Sequence, residues 1–374
     1  MTADTGFQSV LFLAQLPPPR HGQSAVSEAV FNVLSDQPDV HLHHLWRGGA
    51  RGGGDVGKRS LGKYLALASL IGQLIWYWIS AKRFSHAYLT MAPWAHTAMR
   101  DVVLAGLARA LSKRTLIHVH GVGLEDLVQK PGLAGRLVHW CLSDSEIIAV
   151  TSGAADTARQ LAMFDQVHHV PNFAPRPSTG SNKEHSGDRP LVLGWLGNLD
   201  PRKGVLDFVD TVDNLHKAGL SVRGRIGGGS TAMLSIEELR DTVHRRGMDD
   251  DIDLLGHLDG AQKSGFFDGI DIFLYPSRHD LAPLVLAEAM AHGAVPIVLD
   301  VGGMGEMVGP ELRQNVLQVT NDKADWQSEV QERVGAYSAS ADGLSCDSAG
   351  ALRAYENQFT PERFIARIRH LFAG

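Results

Sequence analysis

Two carboxylates that could do chemistry stand eight residues apart, at Asp280 and Glu288 in the stretch Asp271–Val308. Between them lies the expected start of a helix, whose unpaired N–H groups and positive dipole end suit an anion such as a diphosphate. Because acids would repel a phosphate, we expect these two side chains to bind neutral hydroxyl groups beside it. A diphosphate together with hydroxyl groups describes a nucleotide sugar.

A strand, a loop, a helix and a second strand are expected to position these carboxylates. The apolar run Ile272–Tyr275 predicts a buried strand. Pro283 suits the first position of a helix, and Leu284–Ala291 favours helix until Gly293 ends it. Val295–Leu299 then predicts the next buried strand. The alternative interpretation is an ordinary α/β unit whose acids only cap a helix.

The complete pattern resembles the signature of retaining, family-4-type glycosyltransferases. That signature runs from an acid through seven residues to a glutamate, then Ala-Met-Ala-x-Gly, a small apolar strand and Gly-Gly-x-x-Glu. The matching residues here are Asp280, Glu288, Ala289, Met290, Ala291, Gly293, Gly302, Gly303 and Glu306. The resemblance implies an α/β protein with the GT-B fold, in which two Rossmann-like domains face each other across a cleft.

Length and composition also favour two domains in an ordinary soluble chain. The 374 residues are 44% hydrophobic and 20% charged, which suits two cores rather than one. The two cysteines, Cys141 and Cys346, lie far apart, which argues for a reducing compartment and against a structural zinc site. Residues 7–16 are too short and lack the basic lead-in of a signal peptide. We therefore expect a cytoplasmic protein that works at the inner face of the membrane.

The domain boundary is predicted in Phe173–Pro190, which is rich in Pro, Ser, Gly and charge and has no apolar periodicity. We expect an acceptor-binding Rossmann-like domain over residues 1–175 and a nucleotide-sugar-binding domain over residues 176–357. The resemblance implies that the final helix, within residues 358–374, returns to the first domain. The first half is mildly basic, which suits phosphate-bearing or anionic-membrane partners, but the imbalance is too small to indicate nucleic-acid binding.

Lys203 is the candidate cation for the diphosphate. It lies in the loop Gly197–Gly204, directly after the predicted strand Leu191–Leu196. The family has Gly-Arg and then Lys-Gly in this loop; here Asn198 stands in place of the arginine, and Arg202 could restore the charge. A cation beside two phosphates offsets the charge that grows on a leaving group. A solvated basic turn is the alternative.

The first domain offers a glycine loop and a histidine. The predicted strand Ser9–Leu16 leads through Pro17–Gln23 to a helix, and Gly22 allows a ligand to approach the backbone closely. A simple strand–helix turn explains Gly22 equally well. By resemblance, His120 at the end of the predicted strand Thr115–Val119 lies beside the sugar. A buried histidine with a purely structural role is the alternative.

Taken residue by residue, the resemblance implies a metal-independent retaining transferase without a cofactor. A UDP- or GDP-sugar would be the donor, and a saccharide or lipid-linked molecule would be the acceptor, as in cell-surface polysaccharide or glycolipid synthesis. The implied catalytic residues are His120 and Asp280, and the implied donor-binding residues are Gly22, Asn198, Arg202, Lys203, Leu284 and Glu288.

Three departures from the family pattern leave other functions open. Asp280 is one methylene shorter than the usual glutamate, Asn198 removes a fixed charge, and Pro283 replaces a glycine and has no N–H to donate. The alternatives are a sugar-nucleotide epimerase of the same fold and a catalytically weak nucleotide-sugar-binding or scaffold subunit.

Two further segments bear on membrane contact. Tyr64–Ala81 carries no charge, and we expect a buried helix; a helix resting on a membrane surface and a membrane span are the alternatives. Arg47–Arg59 is glycine-rich and basic. It is either a surface loop or a loop that closes over an anionic or lipid-linked acceptor.

Overall fold

Two six-stranded sheets, in which every strand pair is parallel, form the cores of the computed structural model. The structure describes residues 8–18, 20–45, 61–93, 98–177, 189–320 and 323–373. One sheet belongs to unit 1, which is Met1–Asn172 with Glu362–Gly374, and the other belongs to unit 2, which is Phe173–Pro361.

Unit 1 alternates strands and helices. Its strands are β1 Gln8–Leu13, β2 Val40–His44, β3 Phe84–Met91, β4 Ser112–Val119, β5 Glu146–Ala149 and β6 Gln166–His169. Its helices are α1 Gly22–Ser35, α2 Leu61–Ile79, α3 Ala98–Leu111, α4 Leu124–Val128, α5 Gly132–Leu142, α6 Ser152–Gln160 and, from the end of the chain, α14 Pro361–Phe372. The strand order is β2-β1-β3-β4-β5-β6.

Unit 2 repeats this alternation. Its strands are β7 Leu191–Leu196, β8 Val222–Gly227, β9 Ile252–Gly256, β10 Ile272–Tyr275, β11 Val295–Leu299 and β12 Val316–Leu317. Its helices are α7 Val205–Lys217, α8 Ile236–Arg245, α9 Gly260–Asp268, α10 Leu284–Ala291, α11 Met304–Val308, α12 Lys323–Ala339 and α13 Ala341–Gln358, with 3₁₀ turns at Pro201–Lys203 and Pro310–Asn315. The strand order is β12-β11-β10-β7-β8-β9.

In both sheets the path of the chain reverses direction at an inner strand, and this reversal positions the loops that carry the candidate residues. In unit 1 the chain leaves β1 for its outer neighbour β2 and then returns to β3 on the other side. In unit 2 it moves outward from β7 to β9 and then returns to β10, which pairs with β7. Ligands of open parallel sheets bind outside the carboxyl ends of the strands at such a switch point. The loops after β7 and β10 therefore lie at the expected binding edge.

The strands are predictable because most of their central positions are buried. The last four residues of β1, the last five of β4 and all residues of β10 and β11 are buried, which explains their continuous apolar runs. The predicted strands Ser9–Leu16, Thr115–Val119 and Val295–Leu299 are confirmed, with small differences at the ends. The glycine-rich segment 47–59 lies outside the described residues. Helix α13 was not predicted.

The expectation that Tyr64–Ala81 forms a buried helix is wrong in its burial. Helix α2 does form, but Leu70 and Leu74 are the side chains that it buries most completely. Trp76 and Trp78 retain 65% and 58% of their accessible surface. None of the helices in the described parts of the chain has the length and apolar character needed to cross a membrane.

An ion pair with a buried carboxylate fixes the amino end of β10 in unit 2. Arg189 donates to both carboxylate oxygens of Asp271, at 2.6 and 2.7 Å, and the N–H of Val192 donates to the same carboxylate at 2.9 Å. These bonds tie the segment that enters β7 to the start of its neighbour β10.

At the carboxyl end of the same two strands, Gly204 allows the loop after β7 to lie very close to the loop after β10. Its φ is +79°, and a Cβ placed there would lie 2.3 Å from the carbonyl oxygen of Pro276. Any side chain at this position would push the loop after β7 away from the loop after β10.

We predict that Gly204→Ala destabilises the protein by about 2–5 kcal/mol, from left-handed backbone strain plus overpacking against Pro276. Gly219→Ala is the matched control, because Gly219 has a φ of +80° and no atom within 4 Å of the added Cβ. The control should cost only about 1–2 kcal/mol, the strain contribution alone. Urea unfolding of both variants measures the difference, and equal losses would show that the close approach carries no energetic weight.

Candidate functional site

The side chains of Lys203 and Asp280 meet where the loops after β7 and β10 come together. Lys203 Nζ lies 2.9 Å from Asp280 Oδ1, and the hydroxyl groups of Tyr275 and Ser277 donate to Asp280 Oδ2 at 2.8 and 2.9 Å. The two residues are 77 positions apart in the chain. Parallel pairing of β7 with β10 brings them together, because both loops leave the same edge of the sheet.

The environment of Asp280 keeps its carboxyl group ionised. Burial favours the neutral acid, but the charge of Lys203 and the hydrogen bonds from Lys203, Tyr275 and Ser277 outweigh burial and hold the pKa of Asp280 below its ordinary value. Burial, followed by the neighbouring Asp280 charge, raises the pKa of the Tyr275 phenol well above its usual range. The tyrosine therefore remains a donor to Asp280 at neutral pH.

Additional contacts hold the loop after β10 in place. The N–H of Arg278 donates to the carbonyl oxygen of Arg202 at 3.0 Å, which joins the two loops through their backbones. The guanidinium of Arg278 pairs with the buried carboxylate of Asp207 in the first turn of α7, and Lys323 pairs with the same carboxylate. The segment that carries Asp280 is thus anchored from both sides.

Helix α10 presents its amino end beside this loop. It begins at Leu284, with Pro283 as the N-cap rather than the first helical residue, and no side chain among the described residues caps it. Its first amide groups are consequently not satisfied by a side-chain cap and suit an anionic ligand. Glu288 lies one turn further along, on the same face of the helix as Leu284.

Glu288 is paired with a lysine that the sequence had not indicated. Lys263 Nζ, from α9, lies 2.7 Å from Glu288 Oε1 and 2.6 Å from Oε2. Both candidate carboxylates of unit 2 therefore have a lysine partner in the structure, so each is a charge-balanced group rather than an isolated anion.

Asn198 and Arg202 also lie in the loop after β7, where their surroundings differ. Asn198 is exposed. The N–H groups on either side of it, of Gly197 and Leu199, donate to the carbonyl oxygens of Gly227, the last residue of β8, and of Gly229. Arg202 binds Asp200, with Nη2 2.6 Å from Oδ2 and Nε 3.0 Å from Oδ1. The guanidinium is thus already paired in this structure.

The Gly302–Gly303 pair lies against the Asp280 loop. A Cβ on Gly302, whose φ is +60°, would lie 2.5 Å from the carbonyl oxygen of Asp280. The N–H of Gly303 donates to the carbonyl oxygen of Leu281 at 2.7 Å. The Gly-Gly element of the motif therefore supports the loop through its backbone and leaves no space for a side chain.

In unit 1, His120 belongs to a histidine cluster at the carboxyl end of β4. Its ring lies 4.0 Å from that of His118, centroid to centroid. His118 is completely buried and its Nδ1 bonds the Tyr88 hydroxyl at 2.8 Å. The Nε2 atoms of both histidines are buried and have no hydrogen-bond partner among the described residues. His118 has the character of a core histidine, whereas His120 is only partly buried.

Gly22 is placed close to this cluster by the helix that it begins. His21 caps α1 by accepting a bond from the N–H of Ser24, and the Ser24 hydroxyl accepts in return from the N–H of His21. Burial, and to a smaller extent the nearby charge of His21, lowers the pKa of His120 to about 3. His120 is therefore a neutral imidazole at physiological pH.

Comparison with known proteins identifies the fold and finds a family model that matches part of the second half. The family model of glycosyl transferases group 1 matches residues 190–334. Sucrose-phosphate synthase from Thermosynechococcus elongatus superposes with a TM-score of 0.69 at 16% identity, over 98% of both chains. HepE from Anabaena in complex with UDP-glucose superposes with a TM-score of 0.66 at 14% identity, over 98% of this chain and 99% of that chain.

The chain has the GT-B fold, and residues 190–334 are similar to the glycosyl transferases group 1 family. Glycogen synthase from Mycobacterium tuberculosis (strain CDC 1551 / Oshkosh) is 28% identical over 138 residues, which are 37% of this chain and 30% of that protein. The sequence match to this curated relative thus spans about a third of the relative's length.

Several contacts of the candidate residues were not found from the sequence. Tyr275 ends a predicted strand and Ser277 follows it, and neither position marks a partner of Asp280; no motif marks Lys263. The cap residue His21 lay in a loop where only the glycine was singled out. Among the described residues, no group of three or more His, Cys, Asp or Glu side chains could hold a metal ion.

We predict that histidine burial makes the unfolding of unit 1 sensitive to acid. The unfolded chain takes up a proton below the ordinary histidine pKa of 6.5, whereas folded His120 does so only near pH 3. Stability should therefore fall as the pH drops from about 6.5 towards 4. His120→Gln should flatten this fall, as measured by unfolding midpoints at pH 7.0 and 4.5. The same slope in both proteins would show that His120 is protonated in the fold.

Proposed function

We propose that this protein is a metal-independent, retaining glycosyltransferase that moves a sugar from a nucleotide-diphosphate sugar to a saccharide or lipid-linked acceptor. One observation carries the proposal: in a group 1 domain, Lys203 and Asp280 meet beside the amino end of α10, and no side chain of the described residues caps that end. A cation, an uncapped helix start and a fixed carboxylate provide for a diphosphate and for the hydroxyl groups attached to it.

Lys203 and the first amide groups of α10 would hold the diphosphate. As the bond to the sugar breaks, negative charge collects on the leaving phosphate oxygen. An ammonium group and oriented N–H groups stabilise that charge without reorganising during the reaction. This arrangement supplies the charge that a divalent cation would otherwise provide. It is the physical basis for proposing transfer without a metal.

Asp280 and Glu288 would bind hydroxyl groups. Asp280 accepts bonds from Lys203, Tyr275 and Ser277, and a carboxylate offers about four lone-pair positions. Asp280 can therefore accept one further hydrogen bond from a sugar hydroxyl, and another if Lys203 turns to the phosphate. The negative charge of Asp280 would also steady positive charge developing at the anomeric carbon. Glu288, one turn along α10, would take the ribose hydroxyls.

His120 would position the sugar from unit 1. Its neutral ring can donate or accept one hydrogen bond at Nε2, which has no partner among the described residues. A neutral group in this role adds no charge that would compete with the developing positive charge of the sugar. Gly22 and the start of α1 would contribute backbone contacts nearby.

The comparisons make UDP-sugars the first donors to test. HepE has been solved with UDP-glucose, and the proposal transfers this class of donor to the present chain together with GDP-sugars. The purified protein should be incubated with UDP-glucose, UDP-galactose, UDP-N-acetylglucosamine and GDP-mannose, with and without saccharide and polyprenyl-phosphosaccharide acceptors.

Three outcomes separate the candidate functions. Nucleotide release that requires an acceptor supports transfer, and the NMR coupling constant of the product's anomeric proton tests retention. Conversion of the donor into its epimer would replace the proposal with an isomerase. Donor binding without turnover would indicate a scaffold subunit, which the Asp200–Arg202 pair and Pro283 favour because they reduce the groups available to the phosphates.

We predict that Lys203→Ala weakens binding of the preferred donor by about 1.5–3 kcal/mol, or about 10- to 150-fold, the scale of a charge-assisted contact. Isothermal titration calorimetry measures the loss. Lys217→Ala is the matched control, because Lys217 is an exposed lysine in the last turn of α7 that pairs with Asp213. The control should bind the donor normally. Equal donor affinity in wild type and Lys203→Ala would refute the assignment of Lys203.

A further inference from the structure

One surface of unit 1 exposes large apolar side chains on three neighbouring helices. Helix α2 packs against α3, and α3 packs against α5, so the three form one layer over the same face of the sheet. The side chains that this layer exposes define the aromatic face: Tyr64, Leu65, Ile75, Trp76, Trp78 and Ile79 on α2, Val103 on α3, and Leu133, Leu137 and Trp140 on α5.

The spacing of these residues shows that the exposure is organised along the helices. On α5, Leu133, Leu137 and Trp140 follow the i, i+4, i+7 spacing of a single stripe, and Trp140 is 64% exposed. On α2, Leu65 and Trp76 are three turns apart and share a face. Large exposed apolar side chains grouped in this way are uncommon on a soluble protein without a binding partner.

The layer also carries a strong excess of positive charge. The segments 64–113 and 130–142 contain seven basic residues, Lys82, Arg83, Arg100, Arg109, Lys113, Lys130 and Arg136. Their one acidic residue, Asp101, is buried and paired with Arg100 at 2.9 Å. Just outside these segments, Asp144 pairs with Arg109 at 3.1 Å, and α4 exposes Glu125 and Asp126. The chain as a whole has a net charge of −6, so this concentration runs against its overall composition.

Tryptophans and cations come together at one edge of this layer. The carboxyl-terminal ends of α2 and α3 lead into β3 and β4, whose first residues Phe84 and Ser112 are paired. Lys82 lies 4.7 Å from the centre of the Tyr77 ring. Tyr77 stands between the two exposed tryptophans of α2, Trp76 and Trp78, in the sequence. Arg109, in the last turn of α3, lies 5.8 Å from the centre of the Trp140 ring on α5 and donates to the Trp140 carbonyl at 2.7 Å.

We propose that the aromatic face docks unit 1 onto an anionic phospholipid bilayer. Indole rings are amphipathic and settle at the headgroup level of a membrane, while lysine and arginine are attracted to anionic headgroups. A protein partner could cover the apolar residues, but the surrounding cations match a surface of uniform negative charge. Helix α2 lies on the bilayer and does not cross it. This docking does not depend on the transferase reaction proposed above.

Vesicle co-sedimentation of the full chain tests the proposal directly. The protein should sediment with phosphatidylcholine vesicles that contain phosphatidylglycerol and much less with phosphatidylcholine alone. Trp76→Ser/Trp78→Ser should reduce the partition coefficient by about tenfold or more, because both indoles would leave the interface. Arg83→Glu/Arg136→Glu should abolish the preference for anionic vesicles.

Two control variants keep the test specific. Met233→Ser removes an apolar side chain that is 54% exposed in unit 2, and Arg240→Glu reverses an exposed charge on α8. Both should sediment like wild type, and thermal unfolding midpoints should show that all variants are folded. Because the readout is lipid binding, it is unaffected by whether any nucleotide sugar is turned over.

The opposite results would overturn the proposal. Absence of binding to anionic vesicles would rule out a lipid surface as the partner. Equal binding by the tryptophan variant and wild type would show that the aromatic face is not the surface that docks. Light scattering that shows a dimer in wild type and a monomer in Trp76→Ser/Trp78→Ser, without lipid binding, would assign the aromatic face to a second copy of the chain.

Discussion

The close approach of two loops at the edge of the unit 2 sheet is the constraint on which the candidate donor site depends. Because β7 and β10 are parallel neighbours, the loops that follow them leave the sheet side by side. The missing side chain of Gly204 allows these loops to touch. Asp207 then fixes Arg278 from the far side. Without this approach, Lys203 and Asp280 could not form a 2.9 Å pair.

Charge balance decides how this site can respond to a ligand. Asp280 and Glu288 are each paired with a lysine, so neither is an unpaired carboxylate at the edge where a diphosphate would bind under the proposed function. Removing one partner of a partly buried ion pair costs free energy, because the remaining charge stays out of water without a compensating partner. A ligand that offers phosphate to Lys203 and hydroxyl groups to Asp280 replaces both partners together. This exchange favours a donor carrying both groups over free phosphate.

The two units use apolar residues differently. Unit 2 buries its large side chains, including Trp195 and Trp326. Unit 1 leaves two tryptophans of α2 and one of α5 largely exposed, although the hydrophobic effect favours their burial. Helix α2 remains attached through a narrow stripe around Leu70 and Leu74. The exposed side chains of α2 are therefore not required for the core of unit 1, and their composition suits contact with another apolar surface.

The sequence by itself determined the strand positions, because strands buried on both faces leave continuous apolar runs such as Val295–Leu299. It also determined the two-part α/β plan and the spacing of Asp280 and Glu288, which are local features of one strand–loop–helix unit. Tertiary structure alone decided which groups meet Asp280, since Lys203 is distant in the chain and its contact requires a specific strand order. The same holds for the pairing of Lys263 with Glu288. The exposure of α2 could not be predicted because an uncharged helix has the same composition whether it packs in a core or faces outward; only its neighbours decide.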